Sequence, residues 1–169
     1  MEPEHQSQIF QFASPDDSPG FLLWQVSNLW QRKMKAGLSS LGLTHVQFVL
    51  IAGIVWLNQK GEVVTQAALA AHAKTDVMMT SKVLRALEKK SLVKRNLHAK
   101  DTRAKSLTIT SQGDQLFKEA IRIVDRIDNE FFAVSGWTLQ DLNSCLQAVL
   151  ALNKPSSELE LLPNSCLHL

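Results

Sequence analysis

Two short helical segments in close succession, followed at once by two strand-like segments, constrain the fold of this chain more than any other feature. The first helical segment covers residues 66–72 after a cap at Thr65, and the second runs to Lys90 from a cap at Thr75 or Asp76. Because only about three residues join them, the two helices cannot lie antiparallel with much contact and must cross steeply. The spacing therefore predicts a helix-turn-helix.

The segment after the second helix changes to the two-residue period of a β-strand. Val93 and Leu97, and then Leu107 and Ile109, belong to two runs in which apolar and polar residues alternate. A polar and basic loop at residues 98–106 separates the two runs. The pattern predicts a β-hairpin directly after the helix-turn-helix, which is the position of a wing.

Longer helical patterns flank this unit on both sides. Thr44 and Gln47 have the spacing of a capping box, and the helix that they begin has almost no polar face, which predicts that it is buried all round. Gly37 and Gly42 weaken the end of the helix before it. We expect the flanking helices at residues 20–41, 44–58 and 112–133, with a last helix between Thr138 and Pro155.

The order of these elements predicts a mainly α fold with a small β wing, in which a winged helix-turn-helix domain lies between flanking helices. The chain then divides into five regions: a flexible N-terminal arm at 1–19, first helices at 20–60, a DNA-binding lobe at 61–110, a long helix and a C-terminal helix at 111–154, and a tail at 155–169.

Bulk features of the chain exclude several classes of protein. No stretch approaches the 18 or so consecutive apolar residues of a transmembrane helix, and the acidic, polar N-terminus does not resemble a signal peptide. The histidines lack the spacing of metal ligands, and no phosphate loop or nucleophile elbow occurs. We therefore expect a cytoplasmic protein that binds no membrane, metal or cofactor and is not an enzyme.

The charge is concentrated in the predicted DNA-binding lobe. The whole chain has a net charge of only +2, but residues 74–105 contain ten Lys or Arg and three Asp or Glu. Such a basic stretch on one element is typical of phosphate binding. The alternatives are a solvated charged face and a winged helix that binds protein, although charged residues are depleted in the cores of protein interfaces.

The second helix of the pair separates an apolar face from a cationic one. A helical wheel places Thr80, Leu84 and Leu87 opposite Met78, Lys82, Arg85 and Lys89. In a major groove the first residues of such a helix reach base edges, whereas later cations lie nearer the phosphates. The candidates for reading sequence are Thr75, Asp76, Val77, Met78, Ser81 and Lys82, and those for phosphate contact are Arg85 and Lys89. An ordinary surface helix is the alternative, and Met78 and Met79 could equally be packing residues.

The predicted hairpin supplies a second set of candidates for DNA contact: Arg95, Lys100, Asp101, Arg103 and Lys105. Asp101 could pair with Arg103 and hold the tip of the loop in shape. Alternatively, Arg103 could insert into a minor groove, where the negative potential favours a guanidinium. A simple solvated hairpin tip is the remaining interpretation.

The segment 74–93 resembles the recognition helix of the multiple antibiotic resistance regulator (MarR) family. The loop 101–105, followed by Leu107, Thr108, Ile109, Thr110 and Gly113, resembles the wing of that family and its exit into a long helix. The resemblance covers about residues 20–153. Two departures are Ser91, which stands where such proteins often have glycine, and a helix-turn-helix turn without glycine.

The resemblance implies properties that spacing does not show. Proteins of this family are homodimers whose first and last helices interlock in a helical dimerisation region. The resemblance therefore assigns the first helices at 20–60 to dimerisation and support, and the C-terminal helix of region 111–154 to dimerisation. Such proteins bind pseudo-palindromic operators with one recognition helix and one wing per half-site. Many are repressors that small anionic or phenolic ligands release. We therefore expect a sequence-specific regulator that binds double-stranded DNA and is a repressor released by a small ligand.

The terminal helices carry more apolar surface than a small winged domain can cover, which independently favours a dimer. The candidates for that interface are Phe21, Trp24, Leu142, Leu146 and Val149. The alternative is that these side chains pack within one chain.

A ligand would bind between the dimerisation helices and the DNA-binding lobe. Trp24, Asn28, His45 and Phe48 are the candidates to line such a pocket, and each could instead be a core or interface residue. Cys145 lies among the apolar positions of the last helix, so we expect a buried apolar filler rather than a redox sensor.

Overall fold

A computed structural model describes residues 11–97, 105–134 and 136–153 of the chain. Six α-helices and a two-stranded antiparallel sheet follow a single 3-10 turn at Pro15–Asp17. The helices are α1 (Pro19–Ser39), α2 (His45–Gln59), α3 (Gln66–Ala73), α4 (Val77–Lys89), α5 (Ser111–Phe131) and α6 (Leu139–Leu152), and the strands are β1 (Val93–Leu97) and β2 (Lys105–Ile109). This order confirms the predicted fold class, mainly α with a small β wing.

Side-chain caps set the starts of the helices. The backbone amide of Gln47 donates to the Thr44 hydroxyl, and the amide of Thr44 donates to Gln47 Oε1, which confirms the predicted capping box of α2. Thr138 and Asp141 form the same box at α6. The Thr138 hydroxyl, at 2.7 Å, and its backbone amide both donate to the Asp141 carboxylate and lower the pKa of that group.

The core of the winged domain forms around α2. Its members come from α1, α2, the α2–α3 linker, α3, α4, the sheet and α5, and those without solvent exposure include Met34, Leu38, Leu50, Ile51, Ile54, Leu69, Leu84, Leu87 and Ala120. The expectation that α2 is buried all round is wrong at Trp56, which is 53% exposed and stacks against the ammonium of Lys60. In a domain of this size, the other elements do not cover every side of the central helix, and Trp56 lies on the uncovered side.

Two glycines permit close approaches of backbone that larger residues would prevent. A Cβ atom on Gly37 would lie 2.5 Å from Ile127 Cδ1 and 2.9 Å from Ile123 Cγ2, so this glycine brings α1 against α5 rather than ending α1. A Cβ atom on Gly113 would overlap the carbonyl oxygen of Leu92. Gly113 therefore lets α5 begin directly against the residue that precedes β1, the first strand of the wing.

Two residues other than glycine adopt left-handed backbone angles. Lys74, in the turn between α3 and α4, has φ +50°, and Ser91, just after α4, has φ +58°. These are the positions at which the sequence departs from the glycines that the MarR resemblance implies. The two turns therefore have a backbone conformation that favours glycine, although the residues in them carry a Cβ atom.

The chain forms two compact units, residues 1–127 and residues 128–169, and the boundary falls within α5. In the second unit, α6 is amphipathic by sequence, but Leu146, Val149, Leu150 and Leu152 are all more than 40% exposed. Cys145 is also exposed. The expectation of a buried cysteine is therefore wrong for the single chain, because the apolar face of α6 on which it was placed is not covered.

Candidate nucleic-acid interface

The start of α4 is fixed by a compact set of hydrogen bonds. Asp76, rather than Thr75, is the capping residue, and its Oδ1 accepts from the backbone amide of Met79 at 2.9 Å. The fully buried hydroxyl of Thr80 donates to the Asp76 carbonyl oxygen at 2.8 Å and lies 2.8 Å from the Thr75 hydroxyl. The first turn of α4 is therefore held rigidly against the turn that precedes it.

The two faces of α4 differ as the helical wheel predicts. Thr80, Leu84 and Leu87 have no exposed surface. On the opposite side Met78, Lys82, Arg85 and Lys89 are all exposed, and we call these four residues the α4 stripe. Met78 has 75% of its surface in solvent, so the alternative that it packs within this chain does not hold.

The candidates for reading the DNA sequence differ in their exposure and in whether they are already hydrogen-bonded within the protein. Thr75 and Asp76 are engaged in the hydrogen bonds that start the helix. Ser81 is half-buried, and its hydroxyl accepts from Arg85 Nη2 at 3.4 Å. The exposed side chains at this end of α4 are those of Asp76, Val77, Met78, Met79 and Lys82. Among the apolar ones Met78 is the most exposed.

The strands of the wing are attached firmly to the lobe. The backbone amide of Leu107 donates to the Val64 carbonyl oxygen at 2.8 Å, which joins β2 to the linker between α2 and α3. Across the hairpin, Asn96 Nδ2 donates to the Thr108 hydroxyl at 3.0 Å. The hairpin therefore projects from the lobe at a fixed position beside α4.

Arg95, one of the predicted wing residues, contacts α4 rather than solvent. Its Nε lies 2.9 Å from Glu88 Oε2, and only 20% of its side chain is exposed. The ion pair connects β1 to the last turn of α4 and neutralises the Glu88 carboxylate, which lies on the same helix as the α4 stripe. Lys105 begins β2 opposite Leu97, whereas the predictions for Lys100, Asp101 and Arg103 fall outside the described residues.

Lys90 makes a structural contact that the sequence analysis missed. Its Nζ donates to the Gly42 carbonyl oxygen at 2.6 Å and to Gln47 Oε1 at 3.2 Å. The ammonium therefore ties the end of α4 to the turn between α1 and α2. No sequence signal predicts a contact across more than 40 residues, so Lys90 counts among the ten cations of the basic stretch although its ammonium is engaged within the protein.

The candidates for a dimer interface lie on α1 and α6, and most of them are exposed in the single chain. Phe21 and Trp24 stack with ring centroids 5.9 Å apart, and they are 40% and 62% exposed. Their neighbours on α1 are also exposed, and we call the whole set the α1 apolar face: Phe21, Leu22, Leu23, Trp24, Val26 and Leu29. On α6, Leu146 and Val149 are exposed and Leu142 is half-buried.

The structure does not bring the four ligand-pocket candidates together. Trp24 and Asn28 line one groove along α1. Asn28 and His45 line another, of about 560 Å³, which also contains the cationic side chains Arg32 and Lys35. Phe48 is 6% exposed and stacks on Phe117 within the core. The four residues therefore belong to separate environments, and the groove beside His45 has the more polar lining.

Within the described residues, no cluster of three or more His, Cys, Asp or Glu side chains could hold a metal ion. None of the described helices combines the length and the apolar character that crossing a membrane requires. The site that remains is the α4 stripe and the hairpin beside it.

Comparison with known families identifies the architecture. Residues 39–127, which contain α2, the helix-turn-helix and the wing, match the family model described as "ArnR1-like, winged-helix domain". The chain belongs to this winged-helix family. Together with the curated relatives described next, this match makes the chain a regulator of transcription with a winged-helix DNA-binding fold rather than an enzyme.

Two curated relatives are named as regulators of transcription. The chain is 44% identical over 124 residues to the uncharacterized HTH-type transcriptional regulator YdcH of Bacillus subtilis (strain 168), and the match covers 73% of this chain and 84% of that protein. It is 32% identical over 119 residues to the HTH-type transcriptional repressor Rv2887 of Mycobacterium tuberculosis, with coverage of 70% and 83%.

Solved structures confirm the MarR-type fold that the sequence resembles. CouR from Rhodococcus jostii RHA1, bound to p-coumaroyl-CoA, superimposes with a TM-score of 0.73 at 23% identity, covering 86% of this chain and 98% of that one. A MarR mutant from E. coli complexed with operator DNA gives a TM-score of 0.67 at 19% identity, with coverage of 80% and 93%.

Proposed function

We propose that this winged-helix regulator is a homodimeric repressor that recognises a specific double-stranded DNA sequence and that a small ligand releases from it. The observation that carries the proposal is the α4 stripe, which exposes three cations in line beside a firmly attached hairpin. A helix of this kind fits the major groove, which is about 12 Å wide. Lys82 reads base edges, and Arg85 and Lys89 contact phosphates.

The wing adds contacts to the flanking DNA. We expect Arg103 to enter the minor groove or to contact its phosphates, and Lys100, Asp101 and Lys105 to be the other residues of the wing at the DNA. Arg95 acts indirectly, because its pairing with Glu88 removes a carboxylate charge from the neighbourhood of the phosphates. In this proposal residues 61–110 bind DNA, and the protein acts in the cytoplasm.

The apolar surfaces of α1 and α6 support a dimer. Six large apolar side chains of the α1 apolar face are in solvent in the single chain, which is unusual for a surface without a partner. Residues 20–60 and 111–154 then supply the dimerisation region, with Phe21, Trp24, Leu142, Leu146 and Val149 in the interface. A two-fold dimer presents two copies of α4, which requires a pseudo-palindromic operator.

A charge introduced into the interface tests the dimer. Replacing Trp24 by glutamate places a carboxylate in the proposed interface, so Trp24→Glu should be monomeric in sedimentation experiments at concentrations where the wild type is dimeric. Trp56→Glu is the matched control, since Trp56 is comparably exposed but lies on α2. Equal behaviour of the two variants contradicts the proposed interface.

The similarity to a named repressor and to a ligand-bound regulator supports repression and release. The groove beside Asn28 and His45 suits a phenolic or anionic molecule, because Arg32 and Lys35 place two cations at its wall. Trp24 lines a second groove along α1, and Phe48 lines a third together with Phe117. A ligand that binds one arrangement of the dimer more tightly lowers DNA affinity by shifting the population of arrangements.

Selection from random DNA tests sequence-specific binding. Fluorescence anisotropy with a pool of random duplexes, titrated at several salt concentrations, should show binding that weakens steeply with salt, and sequencing of the retained DNA should reveal an inverted repeat. Lys82→Ala should change the retained sequence more than Arg85→Ala does. Absence of salt-dependent binding, or retention of unrelated sequences, contradicts the proposal.

A further inference from the structure

The first turn of α4 exposes three large apolar side chains to solvent. Val77 is 50% exposed, Met78 is 75% exposed and Met79 is 40% exposed. The helix is held instead by its buried face and by the Asp76 and Thr80 hydrogen bonds. Burial of Met78 therefore contributes little to the stability of the single chain, and its exposure calls for a partner with an apolar surface.

Met78 occupies the N-terminal end of the α4 stripe. Lys82, Arg85 and Lys89 follow it at steps of four, three and four residues, which keeps all four side chains along one line of the helix. The line begins with an apolar side chain and continues with cations. A helix that places its N-terminal end in the major groove would thus present Met78 to base edges and its cations to the backbone.

The polar groups near Met78 are largely engaged within the protein. The Asp76 carboxylate accepts from Met79, the Thr75 hydroxyl lies against that of Thr80, and the Ser81 hydroxyl accepts from Arg85. The most exposed apolar side chain of the first turn is therefore that of Met78, beside the exposed carboxylate of Asp76. The unbranched thioether side chain of methionine adapts its shape to a contact more readily than a branched one.

We propose that Met78 is a specificity-determining residue that contacts the 5-methyl group of a thymine in each half-site. The proposal rests on the DNA-binding function proposed above. In the major groove the bases present hydrogen-bond donors and acceptors, and thymine alone adds an apolar methyl group. A 75% exposed methionine on the groove-facing line has no hydrogen bond to offer a base, so its complement is that methyl group.

Replacement of thymine by deoxyuridine tests this directly, because it removes the 5-methyl group and preserves every hydrogen-bonding group. The full-length protein is titrated with the selected duplex, in which each thymine is replaced in turn. At one position per half-site the wild type should bind about fourfold more weakly, and about fifteenfold when both half-sites are changed, as expected when a buried methyl group is removed.

Two variants test whether the discrimination between thymine and deoxyuridine comes from the Met78 side chain. Met78→Gln keeps the length and the helix preference of the residue but removes its apolar end, and it should bind the thymine and deoxyuridine duplexes equally. Met79→Gln is the matched control on the same helix but off the α4 stripe, and it should retain the wild-type discrimination. Because Met78 is exposed, the thermal unfolding midpoint of Met78→Gln should match that of the wild type.

Three results would overturn the inference. These are indifference of the wild type to every deoxyuridine, equal discrimination by wild type and Met78→Gln, and a selected sequence with no thymine in its half-sites. Each of them is compatible with tight, salt-dependent binding and leaves the proposed function standing. Failure to bind any duplex even at low salt refutes the DNA-binding proposal itself, and the inference with it.

Discussion

Replacement of Ser91 by glycine should stabilise this protein. Ser91 has φ +58°, in the left-handed region, where a residue with a Cβ atom is strained by about 1–2 kcal/mol. Glycine removes that strain but adds about 0.5–1 kcal/mol of backbone entropy to the unfolded chain. The net expectation for Ser91→Gly is therefore a gain of about 1 kcal/mol in the free energy of unfolding.

The contacts around Ser91 support this value, because they belong to its backbone. Its amide donates to the Glu88 carbonyl oxygen at 2.8 Å, and its carbonyl oxygen accepts from the Thr110 hydroxyl at 2.7 Å. Both bonds survive the substitution. The exposed side chain makes no hydrogen bond to the residues that the structure describes, so its removal opens no cavity and leaves no partner unsatisfied.

Urea denaturation at one fixed protein concentration measures the effect, since the unfolding of a dimer depends on concentration. Ser144→Gly is the control, because Ser144 lies inside α6, where glycine weakens a helix. Ser91→Gly should raise the midpoint and Ser144→Gly should lower it. A decrease for both variants, or no change at Ser91, refutes the argument that the turn after α4 is strained.

Three further substitutions test contacts seen in the structure. Lys90→Met removes the ammonium that donates to Gly42 and Gln47 and should cost about 1.5–3 kcal/mol of unfolding free energy. Lys89→Met, on the exposed α4 stripe, should cost almost nothing. Equal stabilities of the two variants contradict a stabilising role for the Lys90 contacts. Gly37→Ala forces a Cβ atom onto Ile127, and this crowding should offset the gain of about 1 kcal/mol that alanine has over glycine within a helix, so Gly37→Ala should not stabilise the protein. In an Ile127→Val background the same substitution should be more favourable, and an equal effect in both backgrounds contradicts the close approach. Thr138→Ala removes the hydroxyl that lowers the pKa of Asp141, so that pKa should rise in a carboxylate NMR titration, while Thr138→Ser should preserve it. Since the folded pKa is depressed, the wild type gains stability above the ordinary pKa and loses it as the pH falls through the folded value; a pKa that is the same in all three proteins contradicts the cap.

Local rules account for the parts of the fold that the sequence predicts well. Hydrophobic periodicity and capping spacing place α2 and the two faces of α4, because these patterns depend on residues within a few turns of one another. The exposure of Met78 and Lys82 follows from the same periodicity. The assignment of the fold needs only this local information together with the order of the elements.

Contacts between distant elements could not be predicted in the same way. The Lys90 ammonium meets Gly42, and Arg95 meets Glu88, only after the helices have packed. The close approach at Gly37 depends on residues of α5 about 90 positions away in the sequence. Periodicity marks an apolar side of a helix but does not say what covers it, which is why Cys145 and Trp56 are exposed where burial was expected.

The salt dependence of operator binding tests most directly the claim that the α4 stripe contacts DNA. Removing one cation from a phosphate should reduce the slope of log affinity against log salt by about 0.9. A dimer carries two copies of Arg85, so Arg85→Ala should flatten the slope by roughly 1.8, while Arg122→Ala, an exposed arginine of α5, should leave it unchanged. An unchanged slope in Arg85→Ala, or equal reductions in the two variants, contradicts the assignment of this face of α4 to DNA.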